Sequence, residues 1–494
     1  SRYTPSSTLQ RMELLKTGYM GTLSLGWDNY LFLELTGRQE RSSTLKDQSF
    51  FYPSANLSFL FTQAFHMPSW WNYGKLRLSY GIVGNAPETY AANIIYEQGS
   101  DNGFTWNTIP SSWGNADIRP EKKYEYEIGL ESKFLNNRLG IDVSYYNNRV
   151  KDQILSTPQP STSGVKNVLM NVGEVANHGW DISISATPIL TRDFRWDLTA
   201  NYGVYKNKVV KLADGVPYLE ILNSGGSGIK IQAVEGQPMG DIYAQVPQVN
   251  ENGEYLVSDK GLYLNQTELQ KVGNINPAGV GGLFNSFSYK NVFLDFSIDF
   301  RIGGDVINEM NQYATAVGLT PESLKYRDTE HGGLSYYYPG DNNSSGIPVQ
   351  VDPSTGAGPN GEIIYHDGII LPGVVASTGE RNTRIIPAGY YYNTTYNWGT
   401  EAEQLTYRHS VFDNSYVKLR ELTIGYQFPE KMISKLGLGR LSVSVFGRNL
   451  FYFYKALKNY DAESSVGTSW ANQATVGSST TATRSFGVSL RASF

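Results

Sequence analysis

Apolar and polar residues alternate with a period of two along the chain, and this pattern limits most what the chain can fold into. Between Val292 and Ile302 every even position is apolar, whereas the odd positions include Asp295, Ser297 and Asp299. Successive side chains of a β-strand point to opposite faces, so the pattern predicts strands with one apolar and one polar face. The sequence contains no run of about 18 apolar residues, which excludes a transmembrane helix.

Segments with this alternation predict about 13 strands in an all-β fold, with helices nowhere prominent. The strands lie near 17–27, 30–39, 52–61, 75–84, 124–131, 139–146, 179–186, 194–205, 281–289, 292–302, 416–427, 441–449 and 485–494. Near Glu421 the alternation slips by one residue, from Val417 and Leu419 to Leu422 and Ile424. A β-bulge is the simplest reason for the slip.

The links between these strands alternate between short and long. The short links are 28–29, 135–137, 188–193 and 290–291, and the long ones are 85–123, 149–178, 206–280, 304–415 and 450–484. Outer-membrane barrels have short periplasmic turns and long extracellular loops, whereas a soluble sandwich has no reason to trim one end only. We therefore expect a transmembrane antiparallel β-barrel in the outer membrane, with its apolar strand faces against the lipid bilayer.

The final strand and the aromatic residues near strand ends agree with a barrel. A terminal amphipathic strand ending in Phe resembles the signal read by the outer-membrane assembly machinery, so Phe494 is the candidate assembly signal. With Phe494 at the periplasmic rim, every short turn falls on the periplasmic side. Amphipathic rings prefer the level of the lipid headgroups, so the aromatic residues near strand ends indicate two aromatic girdles around the barrel. The alternative is that aromatics are simply common in any sheet. The aromatic residues near strand ends are Trp27, Phe134, Tyr145, Trp180, Tyr289 and Tyr426.

Composition excludes several classes of function. Charged residues make up only 18% of the chain and aromatics 13%, with 35 Tyr and 50 Gly, which is typical of many strands joined by many turns. A net charge of −5 gives no reason to expect nucleic acid as a partner. The chain has no Cys, and its five His lie far apart without ligand spacing, so we predict neither a metal site nor a cofactor.

The sequence shows no constellation of catalytic residues. G-x-S-x-G, H-E-x-x-H and phosphate-loop motifs are absent from it. Ser43 and Lys46 have S-x-x-K spacing, but the partner motifs of that chemistry are missing. Glu125 and Glu127 would lie about 7 Å apart on one strand face, a spacing that a glycosidase could use but that fits a polar lumen wall better. We predict that the protein is not an enzyme.

Several segments resemble the SusC/RagA branch of TonB-dependent transporters. They are KLRLSYGIVGN at 75–85, IRPEKKYEYEIGLESKFLNNRLGIDVSYYNN at 118–148, NVGEVANHGWDISIS at 171–185, GNINPAGVGGLFNSFSYKNVFLDFSIDFRIGGDVIN at 273–308, FDNSYVKLRELTIGYQFP at 412–429 and SVSVFGRNLF at 442–451. The segments follow the order of that family. They correspond to the later strands of its barrel.

The resemblance implies a closed 22-stranded barrel with an N-terminal plug and a motif that engages TonB. Residues 1–494 would then be the C-terminal part of the transporter barrel, with the plug, the TonB motif and about nine strands lying outside this chain. It also implies active import of a bulky nutrient, a glycan or an oligopeptide, together with a SusD-like surface lipoprotein. Many members carry a calcium-loop-like stretch before GNxNP, but residues 249–263 have too few spaced carboxylates to predict one.

Two other functions remain open at this point. A passive outer-membrane porin would show the same alternation but would lack a plug and energy coupling, and the family segments argue against it. A secreted all-β carbohydrate-binding protein or glycosidase would have polar outer strand faces, whereas one face here is continuously apolar. The residues upstream of Ser1 would decide between a coupled importer and a porin.

Aromatic residues of the long links are the candidate substrate- or partner-binding residues. Residues 304–415, about 112 in number, form the longest link, and their aromatic content argues against disorder. We expect this link to fold over the extracellular mouth and to contact substrate or a SusD-like lid, the alternative being that its rings only pack loop upon loop. The candidates are Trp106, Trp113, Tyr336, Tyr337, Tyr338, Tyr390, Tyr391, Tyr392, Trp398 and Trp470.

Overall fold

One large antiparallel sheet contains the thirteen predicted strands, each hydrogen-bonded to its neighbours in chain order. The computed structural model describes residues 12–45, 49–93, 95–101, 104–110, 112–159, 161–224, 228–340, 346–397, 406–434, 437–464, 469–477 and 482–493. The strands are β1 (Lys16–Trp27), β2 (Leu31–Ser42), β3 (Ser49–Phe59), β4 (Trp71–Asn85), β5 (Glu121–Phe134), β6 (Leu139–Lys151), β7 (Glu174–Leu190), β8 (Phe194–Lys211), β9 (Pro277–Tyr289), β10 (Val292–Gly303), β11 (Tyr416–Gln427), β12 (Arg440–Lys455) and β13 (Ser485–Ser493). The prediction of about 13 barrel strands is confirmed.

The short turns lie at one end of the sheet, and residues with positive φ make several of them tight. Asp28 and Asn29 have φ of 50° and 58°, as the two central residues of a type I′ hairpin turn require. Leu135, Asn136 and Asn137 also have positive φ in the turn between β5 and β6. Two somewhat longer turns at this end contain the short helices α1 (Phe61–Ala64) and α4 (Glu430–Ile433).

The outer face of the sheet carries continuous rows of apolar side chains. Trp196, Phe287 and Phe296 stack across β8, β9 and β10, with ring centroids 5.5 and 6.0 Å apart. An upper row of aromatics contains Tyr126, which lies eight residues before Phe134 on β5. At about 3.4 Å per residue this separation is about 27 Å along the strand, or about 21 Å in height at a tilt of about 40°, which fits within an apolar band about 25 Å tall. No helix among the described residues is long and apolar enough to cross a membrane.

The predicted slip near Glu421 is a β-bulge at Arg420. Ser297 of β10 pairs with Glu421, whereas Ile298 pairs with Leu419, so Arg420 is the extra residue of β11. The ladder between β11 and β12 shifts at the same place. The bulge prediction is confirmed, and its consequence is that Arg420 points away from the regular alternation toward the polar side of the wall.

The long links at the other end of the sheet fold into small sheets and helices. Link 86–120 contains the strands Glu97–Asp101, Phe104–Thr108 and Ser112–Trp113, and link 152–173 contains Ile154–Pro158 and Asn167–Asn171. Link 212–276 contains the strands Tyr218–Ser224, Ile229–Val234, Asp241–Ala244, Leu256–Val257 and Gln270–Asn274. Residues 304–415, the long loop, contain the strands Asp305–Ile307, Leu334–Tyr337, Val349–Gln350, Tyr365–Ile369, Val374–Val375, Ile386–Pro387 and Val411–Asp413 and the helices α2 (Glu309–Ala316) and α3 (Ala388–Tyr396). Single 3₁₀ turns lie at Ser161–Ser163, Pro321–Leu324, Tyr407–Ser410 and Asn472–Ala474.

The main hydrophobic core lies among these links rather than inside the barrel wall. Ile229, Ile231 and Ile242 from 212–276 are fully buried against Ile307 of the long loop, and Ala471 and Ala474 of 456–484 join them. Three links that are distant in sequence therefore pack into one body, here named the cap (212–276, 304–415 and 456–484). The prediction that the long loop is folded rather than disordered is thereby supported.

Candidate binding site in the cap

A cavity of about 710 Å³ lies between the long loop, Tyr263 and the start of link 456–484. This volume falls within the range of about 300–1,000 Å³ that small-ligand sites occupy. Its walls share a large aromatic component, provided by Tyr263, Tyr326, Tyr391, Tyr392, Tyr396 and His409. We name it the tyrosine cavity. Apolar side chains, among them Ile369, Leu371 and Leu457, form much of the remaining wall.

Helix α3 brings three of the tyrosines together. It begins directly after Pro387, whose φ of −62° suits the entry to a helix. Tyr392 and Tyr396 are four residues apart and therefore lie on the same face, with centroids 5.6 Å apart. Tyr391 lies 5.1 Å from Tyr392 and 6.1 Å from Tyr396, both in edge-to-face geometry. The three rings form one aromatic cluster along a wall of the cavity.

The hydroxyl groups of this cluster already have partners within the protein. The Tyr392 hydroxyl donates to the carbonyl oxygens of Glu322 at 3.0 Å and Lys325 at 3.2 Å. The hydroxyls of Tyr391 and Tyr396 are hydrogen-bonded to each other. Burial raises the pKa of Tyr392 and of Tyr396 to about 12, so both phenols are neutral at physiological pH. The cluster thus presents ring faces to the cavity rather than spare donors.

His409 adds a neutral ring to the same wall. Its imidazole stacks on Tyr396 with centroids 4.4 Å apart and planes tilted by 18°. Burial, reinforced by the neighbouring Arg408 charge, lowers the pKa of His409 to about 4. A neutral imidazole at pH 7 supplies aromatic surface without positive charge. Among the described residues, no group of three or more His, Asp or Glu is placed to hold a metal ion.

Charged groups of both signs stand at the rim of the cavity. Glu322, Lys325 and Lys458 are exposed there, and the Lys325 ammonium lies 4.7 Å from the centroid of Tyr326. The Asn459 amide donates to the Glu322 carboxylate at 3.1 Å. It also donates to the side-chain oxygen of Asn311 at 2.9 Å, so link 456–484 is fastened to the long loop at the rim.

A cluster of ion pairs joins link 456–484 to the barrel wall. The bulge residue Arg420 forms paired hydrogen bonds with Asp299 of β10, the shorter at 2.5 Å, and with Glu463 of the link, the shorter at 2.6 Å. Lys418, whose side chain is almost completely buried, reaches Glu463 at 2.5 Å. Paired guanidinium–carboxylate bonds are among the strongest and most directional that side chains make. Glu463 therefore ties the cap to the lumen wall, together with Asp461, which accepts a hydrogen bond from the Tyr452 hydroxyl of β12 at 3.0 Å.

Burial and the two cations act on Glu463 in opposite directions. Burial alone would raise the pKa of this carboxyl. The hydrogen bonds from Arg420 and Lys418 outweigh burial and hold the pKa at about 2, below the ordinary value of 4.5. The carboxylate is consequently charged throughout the physiological range.

The predicted binding residues divide between the cavity and other places. Tyr391 and Tyr392 line the tyrosine cavity, and Tyr390 packs against the adjacent core. Tyr336 and Tyr338 are buried beside Tyr365 in a separate core, where Tyr336 donates to Asp367 at 3.1 Å. Tyr337, on the opposite face of the same strand, is half-buried.

The predicted tryptophans lie elsewhere in the long links. Trp106 is exposed on the hairpin of link 86–120, and Trp113 is half-buried where its strand meets Asn167–Asn171. Trp470 packs against the backbone of Gly240, where a Cβ atom would lie 3.0 Å from its ring. The structure does not bring these three into the tyrosine cavity. Trp398 and Phe494 lie outside the described residues.

Sequence reasoning missed Tyr263, Tyr326, Tyr396 and His409. The spacing of Tyr396 four residues after Tyr392 would have placed it on the same face, once a helix had been predicted there. No local signal marks the other three, because they come from separate segments that only the tertiary fold brings together.

Comparison with known proteins fits this architecture. The model of the family described as "TonB dependent receptor-like, beta-barrel" matches residues 4–252. TonB-dependent receptor P3 of Formosa agariphila is 24% identical over 494 aligned positions, covering 91% of this chain and 42% of that protein. TonB-dependent receptor SusC of Bacteroides thetaiotaomicron is 30% identical over 247 positions, covering 46% of this chain and 24% of SusC. The RagAB peptide transporter structure matches with a TM-score of 0.63 at 19% identity, covering 91% of this chain and 45% of that chain.

These findings define the chain as part of an outer-membrane β-barrel. The chain belongs to the TonB-dependent receptor-like β-barrel family, and the predicted likeness to the SusC/RagA type is confirmed. The chain spans less than half the length of the relatives that it matches.

Proposed function

We propose that this chain is the later part of the barrel of a TonB-dependent importer, which moves a bulky nutrient, an oligopeptide or a glycan, across the outer membrane. Membership of the TonB-dependent receptor family supports the proposal, and the observation that carries it is the folded cap with its tyrosine cavity at the long-loop end. A binding site at this end can take up a substrate before it enters the lumen. The substrate is transported without chemical change.

We also propose that residues outside this chain complete the barrel, plug it and engage TonB. Within the described residues, β1 pairs only with β2 and β13 only with β12, so each has one unpaired edge. Every residue of β1 is exposed, including those on the polar face. Long unpaired edges are an aggregation hazard that a closed barrel removes, so further strands are expected to cover them.

A surface lipoprotein of the SusD type is the proposed partner at the extracellular end. SusC and the RagAB transporter are the relatives that motivate this partner. A specific protein lid needs on the order of 1,000 Å² of buried area, and the cap is large enough to provide much of it. Exposed aromatics of the other long links, such as Trp106 of link 86–120, also suit such a contact.

Uptake by cells that express the full-length protein tests the proposal. Cells with and without TonB are given labelled peptide and glycan mixtures, and the same measurement is made after deletion of residues 330–400 from an otherwise assembled barrel. We expect uptake to require TonB and to be lost with the deletion, together with capture of the lipoprotein. Uptake that continues without TonB would support the second candidate, a passive porin. If both uptake and lipoprotein capture survive the deletion, the cap has no part in the mechanism.

A further inference from the structure

Apolar groups form the larger part of the walls of the tyrosine cavity, and the polar wall residues Asn311, Thr315 and Asn459 form hydrogen bonds within the protein. Ile369, Leu371, Leu457 and Phe412 lie in the wall beside the tyrosines. The hydroxyl of Tyr392 is held by two backbone carbonyls, and those of Tyr391 and Tyr396 hold each other. A ligand that enters the cavity therefore meets ring faces and aliphatic groups, with the described tyrosine hydroxyls of α3 already engaged.

This chemistry discriminates between the two substrate classes. Each hydroxyl of a sugar ring that loses water without gaining a partner costs free energy, and a buried sugar has several such hydroxyls. An aromatic or branched aliphatic side chain buries apolar area without that cost, and aromatic pairs add edge-to-face attraction. The wall thus favours an apolar side chain over a sugar ring.

The rim favours a peptide for a second reason. Glu322, Lys325 and Lys458 are exposed near one another and place both signs of charge at the opening. A short peptide carries an ammonium and a carboxylate at its ends and can keep both in this hydrated, charged region while a side chain enters the cavity. A neutral glycan can form hydrogen bonds to these groups but carries no charges to pair with them.

We propose that the tyrosine cavity binds an aromatic or branched aliphatic side chain of an oligopeptide substrate. This inference rests on the proposed import function and narrows its substrate class to peptides. Tyr391, Tyr392 and Tyr396 supply the ring surface, and the backbone of the peptide remains at the rim near Glu322 and Lys458.

Binding of matched pentapeptides to the purified full-length transporter tests the proposal. Titration calorimetry compares Ala-Ala-Phe-Ala-Ala with Ala-Ala-Ala-Ala-Ala, and maltopentaose serves as the glycan probe. Burying the Phe ring should make the Phe peptide bind at least tenfold more tightly than the Ala peptide. Equal affinity for the two peptides, or tighter binding of maltopentaose, would overturn the proposal without any variant being needed.

Two variants locate the binding in the cavity. Ala456 lines the cavity and is half-buried, so Ala456→Phe should fill part of the space and reduce the affinity for the Phe peptide to that for the Ala peptide. Tyr391→Ala removes one wall ring and should weaken binding of the Phe peptide about tenfold. Tyr96→Ala is the matched control, since Tyr96 is exposed in link 86–120 and should change affinity less than twofold. A preference for Phe that survives Ala456→Phe in a correctly folded barrel would place the binding elsewhere.

Uptake separates this inference from the import function itself. TonB-dependent peptide uptake that is unaffected by Ala456→Phe would refute the cavity assignment and leave the import function standing. Uptake that persists without TonB would refute the import function, while the calorimetric comparison would still decide what the cavity binds.

Discussion

Replacing Phe296 by Arg tests directly whether the apolar face of the barrel wall contacts lipid. Phe296 lies four residues above Val292 at the start of β10, which is about 14 Å along the strand at 3.4 Å per residue. With a strand tilt of about 40°, the side chain stands about 10 Å above the periplasmic rim, close to the middle of an apolar band about 25 Å tall. An Arg at this depth is expected to destabilise a barrel by about 2–4 kcal/mol.

Packing adds a smaller contribution at the same position. The Phe296 ring stacks on Phe287 at 6.0 Å, and the loss of such a pair costs about 0.5–1.5 kcal/mol. Phe296→Leu keeps an apolar side chain and removes only the stacking, so it should show this smaller loss. The difference between Phe296→Arg and Phe296→Leu then isolates the cost of the charge in lipid.

Ser297 provides the matched control on the opposite face. It pairs across the ladder with Glu421, whose carboxylate already accepts a bond from Arg448 at 3.0 Å. An Arg at 297 would face the polar lumen next to that carboxylate, so Ser297→Arg should cost well under about 1 kcal/mol.

The free energy of unfolding is the quantity to measure. Denaturant titration of the full-length transporter in lipid vesicles, followed by tryptophan fluorescence and by heat-modifiable mobility, gives this value for each variant. We expect a clear shift of the midpoint for Phe296→Arg and almost none for Ser297→Arg. Equal losses at the two positions would show that the assigned facing of β10 is wrong.

Two further predictions concern the tie between the cap and the wall. Glu463→Gln removes the carboxylate that pairs with both Arg420 and the buried Lys418, so the hydrogen-exchange protection of 456–464 should fall about tenfold or more, as expected for lost bonds to charged groups. The control Glu421→Gln should leave this protection unchanged. Unaltered protection in Glu463→Gln would mean that the ion pairs do not hold the link. The pKa of Glu463 is lowered to about 2 in the folded protein, so its contribution to the stability of the link is complete above its ordinary pKa of 4.5 and is lost as the pH falls from 4.5 toward 2. Hydrogen-exchange protection of the link should therefore decrease over that pH range in the native chain but not in Glu463→Gln.

The barrel strands could be predicted because their signals are local. Alternation and turn residues located all thirteen, but several strands extend further than predicted: β5 runs over Glu121–Phe134 rather than 124–131, and β7 over Glu174–Leu190 rather than 179–186. Beyond the lipid, both faces of a strand meet protein or water, so the apolar alternation weakens although the ladder continues. Residues 60 and 61, predicted at the end of a strand, instead lie after β3 at the start of α1.

The two tyrosine triplets show why the candidate site could not be predicted residue by residue. Both read Tyr-Tyr-Tyr, yet the first is extended, so its alternate rings Tyr336 and Tyr338 enter one buried core. The second lies on helix α3, where successive residues turn by about 100° and the rings spread around the axis. Only this arrangement places Tyr391 and Tyr392 on a cavity wall. The sequence predicted an aromatic loop, whereas the local backbone conformation determined which rings line a cavity.

The segment 456–464 is the physical connection between the cavity and the lumen wall. Leu457 lines the tyrosine cavity and Asn459 bonds to Glu322 at its rim, while Glu463, four residues later, bonds to Arg420 of the bulge. The bulge is what gives Arg420 its reach, because the extra residue breaks the alternation that would otherwise direct the side chain into a regular ladder position. A displacement of this short segment must therefore change both the shape of the cavity and the pairing of a lumen-wall charge. The β-bulge, which the sequence shows as a one-residue slip in the alternation, thus connects the proposed substrate site with the lumen wall along which the substrate would pass.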